Sequence, residues 1–529
     1  MFAFRKWLSA ILGSYLPLWP LASGREVYSI SWNGGSMQPV AKSEIPMLQL
    51  PRLTKRFVTT LGLLVALCRL ATPEERLSSS AAALPTGEVI ASIPCAADST
   101  QTYSLYLPST YSLVKAWPVI YIFDPEARGK IPVEMYRETA EKYGYILAAS
   151  NTSRNFQSAA VTKTVQAIWD DTHLRLALDP RRIYTMGFSG GARVATTLAL
   201  RCETCAVAGV IAHGAGYPNS SIPSASDRFV YFAFIGTKDF NWPELIELRR
   251  KKEELGAPFH LEVFTGDHQW APSAIFGKAV EWLQLKAMQK GTVRPDPAFI
   301  EGLFVGLQKE AEAAAENKDL IAQFEAYRSL VFDFSGLKDV GSDQVKLAAL
   351  KSSRELKQAF KKEQDGIEQQ RRLTQDLSEK LAQLADADSE ARQTLRGDIN
   401  DGMITLRNQI DHEKNEEKRV VFVRAFDDLW VQAIEAGQAE MEISKNPAKA
   451  EIYFELMSSV TPKQPWPVLL LAEASAARGD KKRALKYLRD AVNRGLKQPE
   501  SIENDANLQS LRSEAEFQQI IDELKAPKS

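Results

Sequence analysis

Histidine and cysteine are scarce in this chain, with 5 and 4 respectively among 529 residues. So few cysteines exclude a disulfide-dense scaffold and a protein built on several zinc sites, each needing about four ligands. An excess of one charge is also missing: 65 Lys and Arg stand against 66 Asp and Glu, a net charge of −1. A nucleic-acid-binding surface would show as a basic surplus, so no nucleic-acid partner is expected. Neither apolar stretch near the N-terminus reaches the roughly 20 residues that span a bilayer. What is present is ordinary for a folded chain, 45% hydrophobic and 25% charged, enough to build a core.

Residues 1–83 read as a leader. The stretch 7–21 follows Arg5 and Lys6 and is broken by Pro17 and Pro20. The stretch 57–68 follows Arg52, Lys55 and Arg56 and precedes small residues at 78–83. A short apolar run behind basic residues is the pattern of an export signal. It places the biological start at Met47, with 1–46 an upstream extension, and the mature protein secreted or periplasmic. Membrane contact is then transient, for export only. A tail with a short buried helix is the competing reading. Cys68 follows Ala66-Leu67, without the small residue that lipidation would require before it.

From 84 to 289 strand and helix patterns alternate. Strands are expected at 103–107, 118–123, 145–149, 183–188, 206–212, 230–235 and 261–264. Helices are expected at 159–178, 192–200, 242–255 and 272–286. The run 118–123 is almost wholly apolar, as in a strand covered on both faces. This alternation predicts an α/β fold with a mostly parallel sheet and helices on both faces.

Three points on that sheet carry chemistry. Gly187-Phe188-Ser189-Gly190-Gly191 lies between an expected strand and an expected helix. A G-x-S-x-G there makes a sharp turn that lifts the serine hydroxyl above the sheet, and the helix N-terminus, with the Gly190 N–H, faces a developing oxyanion. A tight turn with an idle serine is the alternative. Asp239 ends Gly236-Thr237-Lys238-Asp239 at the carboxyl end of the next-but-one strand, on the ligand-binding rim of such a sheet. It also suits a cap for the helix beginning at Trp242. His268 lies in Gly266-Asp267-His268-Gln269-Trp270. The order Ser189, Asp239, His268 is that of a nucleophile, the acid that orients the base, and the base. Of the other histidines, His173, His260 and His412 fall within helices or strands. His213 ends a strand and could line the same rim.

At these residues the chain resembles the α/β-hydrolase superfamily, and within it secreted esterases of the polyhydroxybutyrate-depolymerase and feruloyl-esterase type. The resemblance covers about residues 87–289 and includes the opening Leu107-Pro108-Ser-Thr-Tyr111. It implies the α/β-hydrolase fold, an acyl-serine intermediate, and hydrolysis of a small-molecule or polymeric carboxylic ester without metal or cofactor. Those esterases usually carry a His-Gly pair after the third strand to supply a second oxyanion N–H. Here the sequence is Asp124-Pro125-Glu126-Ala127-Arg128. Pro125 has no N–H, so the donor would be Glu126 or Ala127, and Asp124 needs a partner, for which Arg128 is placed. Substrate contacts are expected from Phe188, Asn151, Arg154, Asn155, His213 and Trp270. Cys202-x-x-Cys205 is one pair, too few for a structural zinc; a local disulfide and two buried thiols are both open.

After a break at 290–298 the strand signals vanish. Residues 299–460 are helical, and the charged stretch 344–419, with Ile367, Leu377, Leu381, Leu384, Leu395, Ile399 and Leu406, suits a helical hairpin or irregular coiled coil. In 461–529, Leu471 to Gly479-Asp480, then Ala484, Leu485, Leu488 and Ala491, resembles a tetratricopeptide unit. The resemblance implies an all-α domain contacting a protein partner or the hydrolase domain. Two functions follow. One is an exported serine esterase with a helical interaction tail. The other is a weak or inactive hydrolase fold serving as a scaffold. A serine peptidase is less favoured, for want of a propeller-like repeat.

Overall fold

A computed structural model describes residues 84–218, 221–497, 499–503 and 505–526. The leader read at 1–83 lies outside the described residues. Eight strands form one sheet: β1 (Val89–Cys95), β2 (Asp98–Tyr106), β3 (Trp117–Phe123), β4 (Ile146–Ser150), β5 (Leu178–Phe188), β6 (Gly209–His213), β7 (Val230–Gly236) and β8 (Phe259–Phe264). Their order is β1-β2-β4-β3-β5-β6-β7-β8. β2 is antiparallel to β1 and to β4, and every other pairing is parallel. This mostly parallel sheet with helices fits the α/β-hydrolase fold expected. Every residue of β3, β4, β6 and β7 is buried, which is why these strands read as unbroken apolar runs.

Five helices serve the sheet: α1 (Lys130–Tyr143), α2 (Ser158–Arg175), α3 (Gly190–Arg201), α4 (Trp242–Glu254) and α5 (Ser273–Gln289). Alternation along β3 sorts their faces. Ile120 and Ile122 share a core with Tyr136 of α1 and Phe276 of α5, whose rings stack at 4.0 Å. Tyr121 points the other way, to Thr172 (2.6 Å) and Trp169 of α2. β1 and α1 have no counterpart among the expected elements. β5 begins five residues before the expected strand, which ends α2 at Arg175. Cys202 and Cys205 form a disulfide after α3.

The register brings the carboxyl ends of the strands level. Phe123 is opposite Gly187, Phe188 opposite His213, His213 opposite Phe234, and Gly236 opposite Phe264. The loops that follow β3, β5, β6, β7 and β8 therefore open on one rim, where ligands bind in sheets of this kind.

The helical region comprises α6 (Pro297–Glu316), α7 (Leu320–Asp333), α8 (Gly341–Ser352), α9 (Arg354–Leu384), α10 (Ser389–His412), α11 (Glu416–Glu442), α12 (Pro447–Val460), α13 (Trp466–Ala477), α14 (Lys481–Asn493), α15 (Glu500–Glu503) and α16 (Ala515–Lys525). Asp296, Asp319, Ser353, Asp388, Asn415, Asn446 and Asp480 each accept a first-turn N–H. Such caps are worth about 1 kcal/mol each and fix where the helices start. In α9 and α10, Leu377 packs beside Gly402 while Lys380 meets Asp398 at 3.0 Å. Residue numbers rise along one helix as they fall along the other, so the pair is an antiparallel hairpin. α13 and α14 join through Gly479 (φ 79°) and the Asp480 cap.

These helices are packed onto the sheet domain. Arg328 of α7 donates to the Phe259 carbonyl (3.2 Å), Lys286 of α5 pairs with Asp333 (2.7 Å), and Arg249 of α4 pairs with Glu363 of α9. Further along, α9 and α11 reach the rim itself.

Candidate active site

Ser189 sits between β5 and α3 at φ 52°, ψ −123°, a conformation that costs a non-glycine residue about 1–3 kcal/mol. The surroundings hold it there. Its N–H donates to the His213 carbonyl on the neighbouring strand (2.8 Å). A Cβ on Gly191 would stand 2.0 Å from the Phe123 carbonyl oxygen, so only glycine lets the β3 end approach the turn. The Gly190 and Gly191 N–H groups open α3 and have no intrahelical acceptor. They are the donors left for an anion.

Asp239 and His268 meet. His268 Nδ1 lies 3.0 and 2.9 Å from the two Asp239 oxygens. Asp239 is fully buried. The His268 ring packs between Phe188 (4.6 Å between centroids) and Phe240 (4.3 Å). The loops carrying the pair are tied together, since Thr237 N–H donates to the Phe264 carbonyl and Lys238 N–H to Gly266, both at 2.8 Å. Asp239 Oδ1 also accepts the Asn241 N–H (2.9 Å) at the start of α4, so the carboxylate both turns the chain and faces the imidazole. Gly214, next to His213, lies against that imidazole: a Cβ there would be 3.0 Å from Nδ1. Among the described residues the Ser189 hydroxyl makes no hydrogen bond; in unliganded sites the contact from nucleophile to base is often long.

The segment after β3 departs from expectation. Asp124 is fully buried, and its carboxylate accepts from the Glu126 N–H (2.9 Å), the Arg128 side chain (3.0 and 3.2 Å) and Trp270 Nε1 (3.1 Å). The Ala127 N–H donates to the Asp124 carbonyl (3.2 Å). Both amides expected to serve the oxyanion, Glu126 and Ala127, are thus engaged within the Asp124 turn. The loop after β4 closes over this turn, with Glu126 bridged to Arg154 and the Asn155 N–H donating to the Pro125 carbonyl (2.9 Å). Asn155 is thereby placed against the elbow. A Cβ on Gly190 would fall 1.9 Å from its Oδ1 and 2.9 Å from its Nδ2.

The other candidate contacts divide. Phe188 packs on the His268 imidazole. Arg154 is exposed beside the Asp124 turn. Asn151 turns away to β1 and β2, bonding Ser104 and the Ala91 carbonyl. His213 is a core residue and not a rim residue: it is fully buried, stacked on Phe234 and edge-on to Trp270, and its Nδ1 accepts the Ala271 N–H (3.2 Å). Burial pushes its imidazole down to about 3, so it stays neutral. Trp270 is 7% exposed and serves as the strut to Asp124.

Residues of α9 and α11, helices in which the sequence suggested no chemistry, reach these loops. Arg424 of α11 donates through Nε (2.8 Å) and Nη2 to the Thr237 carbonyl and covers the Trp242 ring at 4.0 Å. Gln370 of α9 donates to the Phe240 carbonyl (2.9 Å). Asp427 of α11 is pushed up to about 7, chiefly by burial and next by the Asp267 carboxylate, with His268 opposing. Glu435, about two turns further along α11, is raised by burial and drawn down by Arg193 and His268. Glu442, at the end of α11, approaches Gln157 (3.5 Å) at the start of α2. α11 therefore lies across the rim. Beside it a cavity of about 330 Å³ is lined by Phe240, Asn241, Gln370, Thr374 and Asp428, among others. The positions 424, 427, 428 and 435 share a helix face, a spacing visible in the sequence but also that of any solvated charged stripe.

Among the described residues no cluster of His, Cys, Asp and Glu is arranged to hold a metal ion, and no helix is long and apolar enough to cross a membrane. No family model and no curated protein matches the chain. Solved structures do. The S-formylglutathione hydrolase FrmB of Staphylococcus aureus is 13% identical, covering 38% of this chain and 99% of that one at a TM-score of 0.31. An S-formylglutathione hydrolase from Agrobacterium tumefaciens is 15% identical over 37% and 93% at 0.29. Dipeptidyl peptidase 4 of Porphyromonas gingivalis is 12% identical over 37% and 35% at 0.28. At these values the likeness carries no argument about activity.

Proposed function

We propose that this chain is a serine hydrolase that cleaves carboxylic esters. The observation that carries the reading is the Asp239–His268 pair (2.9 Å) on the same rim as a strained serine at a helix N-terminus. In this reading Ser189 Oγ adds to the ester carbonyl carbon while His268 Nε2 takes its proton. Asp239, on Nδ1, keeps the imidazole in the tautomer that leaves Nε2 free and stabilises the cation that forms. Collapse breaks the acyl C–O bond, and the imidazolium proton goes to the departing alkoxide. Water then attacks the acyl-serine with His268 again as base, releasing the acid and restoring Ser189.

The oxyanion is met by the Gly190 N–H and, in place of the Glu126 and Ala127 amides, by the side-chain amide of Asn155. The substrate is a small or polymeric ester, the protein acts after export, and the α13–α14 hairpin, similar to a tetratricopeptide unit, offers a surface to a protein partner. The engaged Glu126 and Ala127 amides favour one rival, a feeble or inactive hydrolase fold acting as a scaffold. Hydrolysis of short p-nitrophenyl esters by wild type and Ser189→Ala separates them. Activity lost in the variant supports the enzyme. Folded wild type that is inert to esters and to fluorophosphonate labelling supports the scaffold.

A further inference from the structure

The loop 236–240, which carries Asp239, is gripped from outside the sheet domain on both sides of that residue. Arg424 of α11 holds the Thr237 carbonyl through two N–H groups, and Gln370 of α9 holds the Phe240 carbonyl (2.9 Å). Neither grip is explained by packing alone. Gln370 is 1% exposed and Arg424 8% exposed. Among the described residues no carboxylate lies within ion-pairing distance of Arg424. A buried cation without a direct counter-ion costs several kcal/mol. What Arg424 has instead is the Thr237 carbonyl, the face of Trp242, and the more distant charges of Asp239 and Glu363.

We propose that Arg424, assisted by Gln370, is a positioning residue of the hydrolytic site: from the helical region it fixes the loop that carries Asp239 and sets the charge around the Asp239–His268 pair. The proposal rests on reading Ser189, Asp239 and His268 as that site. Because Thr237 and Lys238 are hydrogen-bonded to the loop that carries His268, a grip on Thr237 steadies both partners. The charged groups around the pair interact with one another: Asp427 of α11 with Asp267, His268, Asp239 and Lys238, Glu435 of α11 with His268, and Arg424 with Asp239 and Glu363 of α9. Arg424 is the cation contributed by α11 to this set. Its charge interacts favourably with that of Asp239.

The test compares Arg424→Met, which keeps the stem on Trp242 but loses the charge and both hydrogen bonds, with Arg424→Lys, which keeps the charge. Gln370→Leu is the second, milder variant. For p-nitrophenyl ester hydrolysis, Arg424→Met is expected to lower kcat about tenfold to a hundredfold with KM within about threefold. The acid limb of its kcat/KM profile moves to higher pH by about half a unit. Arg424→Lys restores the limb and part of kcat, and Gln370→Leu lowers kcat with the limb in place. Folded Arg424→Met with wild-type kcat and acid limb overturns the proposal, as does Arg424→Lys failing in both respects as Arg424→Met does. The His268 titration followed by NMR separates this failure from failure of the esterase reading. If wild type shows no Ser189-dependent hydrolysis, the esterase reading falls, and an unmoved His268 midpoint in Arg424→Met overturns the charge coupling independently.

Discussion

Asp124→Ala tests whether the segment after β3 is a strut or an ornament. The carboxylate is fully buried and accepts from Glu126 N–H, Arg128 N–H, the Arg128 side chain and Trp270 Nε1. Alanine leaves the Glu126 N–H and the indole N–H without acceptors. An unsatisfied buried donor costs about 1–3 kcal/mol. The Arg128 side chain is 42% exposed and regains water when released, so its ion pair adds only about 0–1 kcal/mol. The total is about 2–7 kcal/mol, a large part of a typical domain's stability. Trp270→Phe removes one donor, and the Asp124–Trp270 coupling in a double-mutant cycle is expected at about 1–2 kcal/mol. Urea unfolding at neutral pH, followed by far-UV circular dichroism, supplies the stabilities. Since Trp270 lies two residues beyond His268, kcat should fall in the same variants. Asp124→Ala within about 0.5 kcal/mol of wild type, or a coupling near zero, refutes the strut.

Two further outcomes follow from the same geometry. Asn155→Ala should reduce kcat about a hundredfold, as removal of one oxyanion donor does, with little change in melting temperature; unchanged kcat would remove Asn155 from the oxyanion site. Asp427→Asn should raise stability at pH 8 and leave it nearly unchanged at pH 4. The carboxyl is pushed up from 3.8 to about 7, so the folded state keeps a proton that the unfolded chain releases first. Stability is then lost as pH rises from about 4 through 7. At about 1.4 kcal/mol per unit the ceiling is about 4 kcal/mol, and partial exposure brings the expected gain to about 1–3 kcal/mol. Thermal melts at the two pH values check it, and an equal change at both would refute it.

Much of the geometry around Ser189, Asp239 and His268 is local and therefore legible in a single chain. A strand must leave the sheet, turn within two residues and enter a helix; only glycines at 187 and 191 let the backbone pass, and Ser189 is left on top. Asp239 and His268 each follow a strand directly, so strand pairing alone brings them to the rim. His213 ends a strand at the same rim level, yet it is core, because its ring turns down onto Tyr136, Phe234 and Phe276. Which way a residue at a strand end points depends on what fills the layer beneath it.

The sequence by itself determined the α/β alternation, the Gly187–Gly191 turn, the placing of Asp239 and His268 after strands, and the change to helices near residue 290, because each is written in short-range pattern and in steric rules that act over a few residues. Only the tertiary structure decided that the Glu126 and Ala127 amides are engaged by Asp124, that Asn155 stands against Gly190, and that α11 lies across the rim with Arg424 on the loop of Asp239. The charged stripe at 424, 427, 428 and 435 reads the same whether it faces water or the Asp239–His268 pair, since helical spacing encodes a face but not what lies opposite. That identity comes from contacts between residues 187 positions apart, and no local pattern contains them.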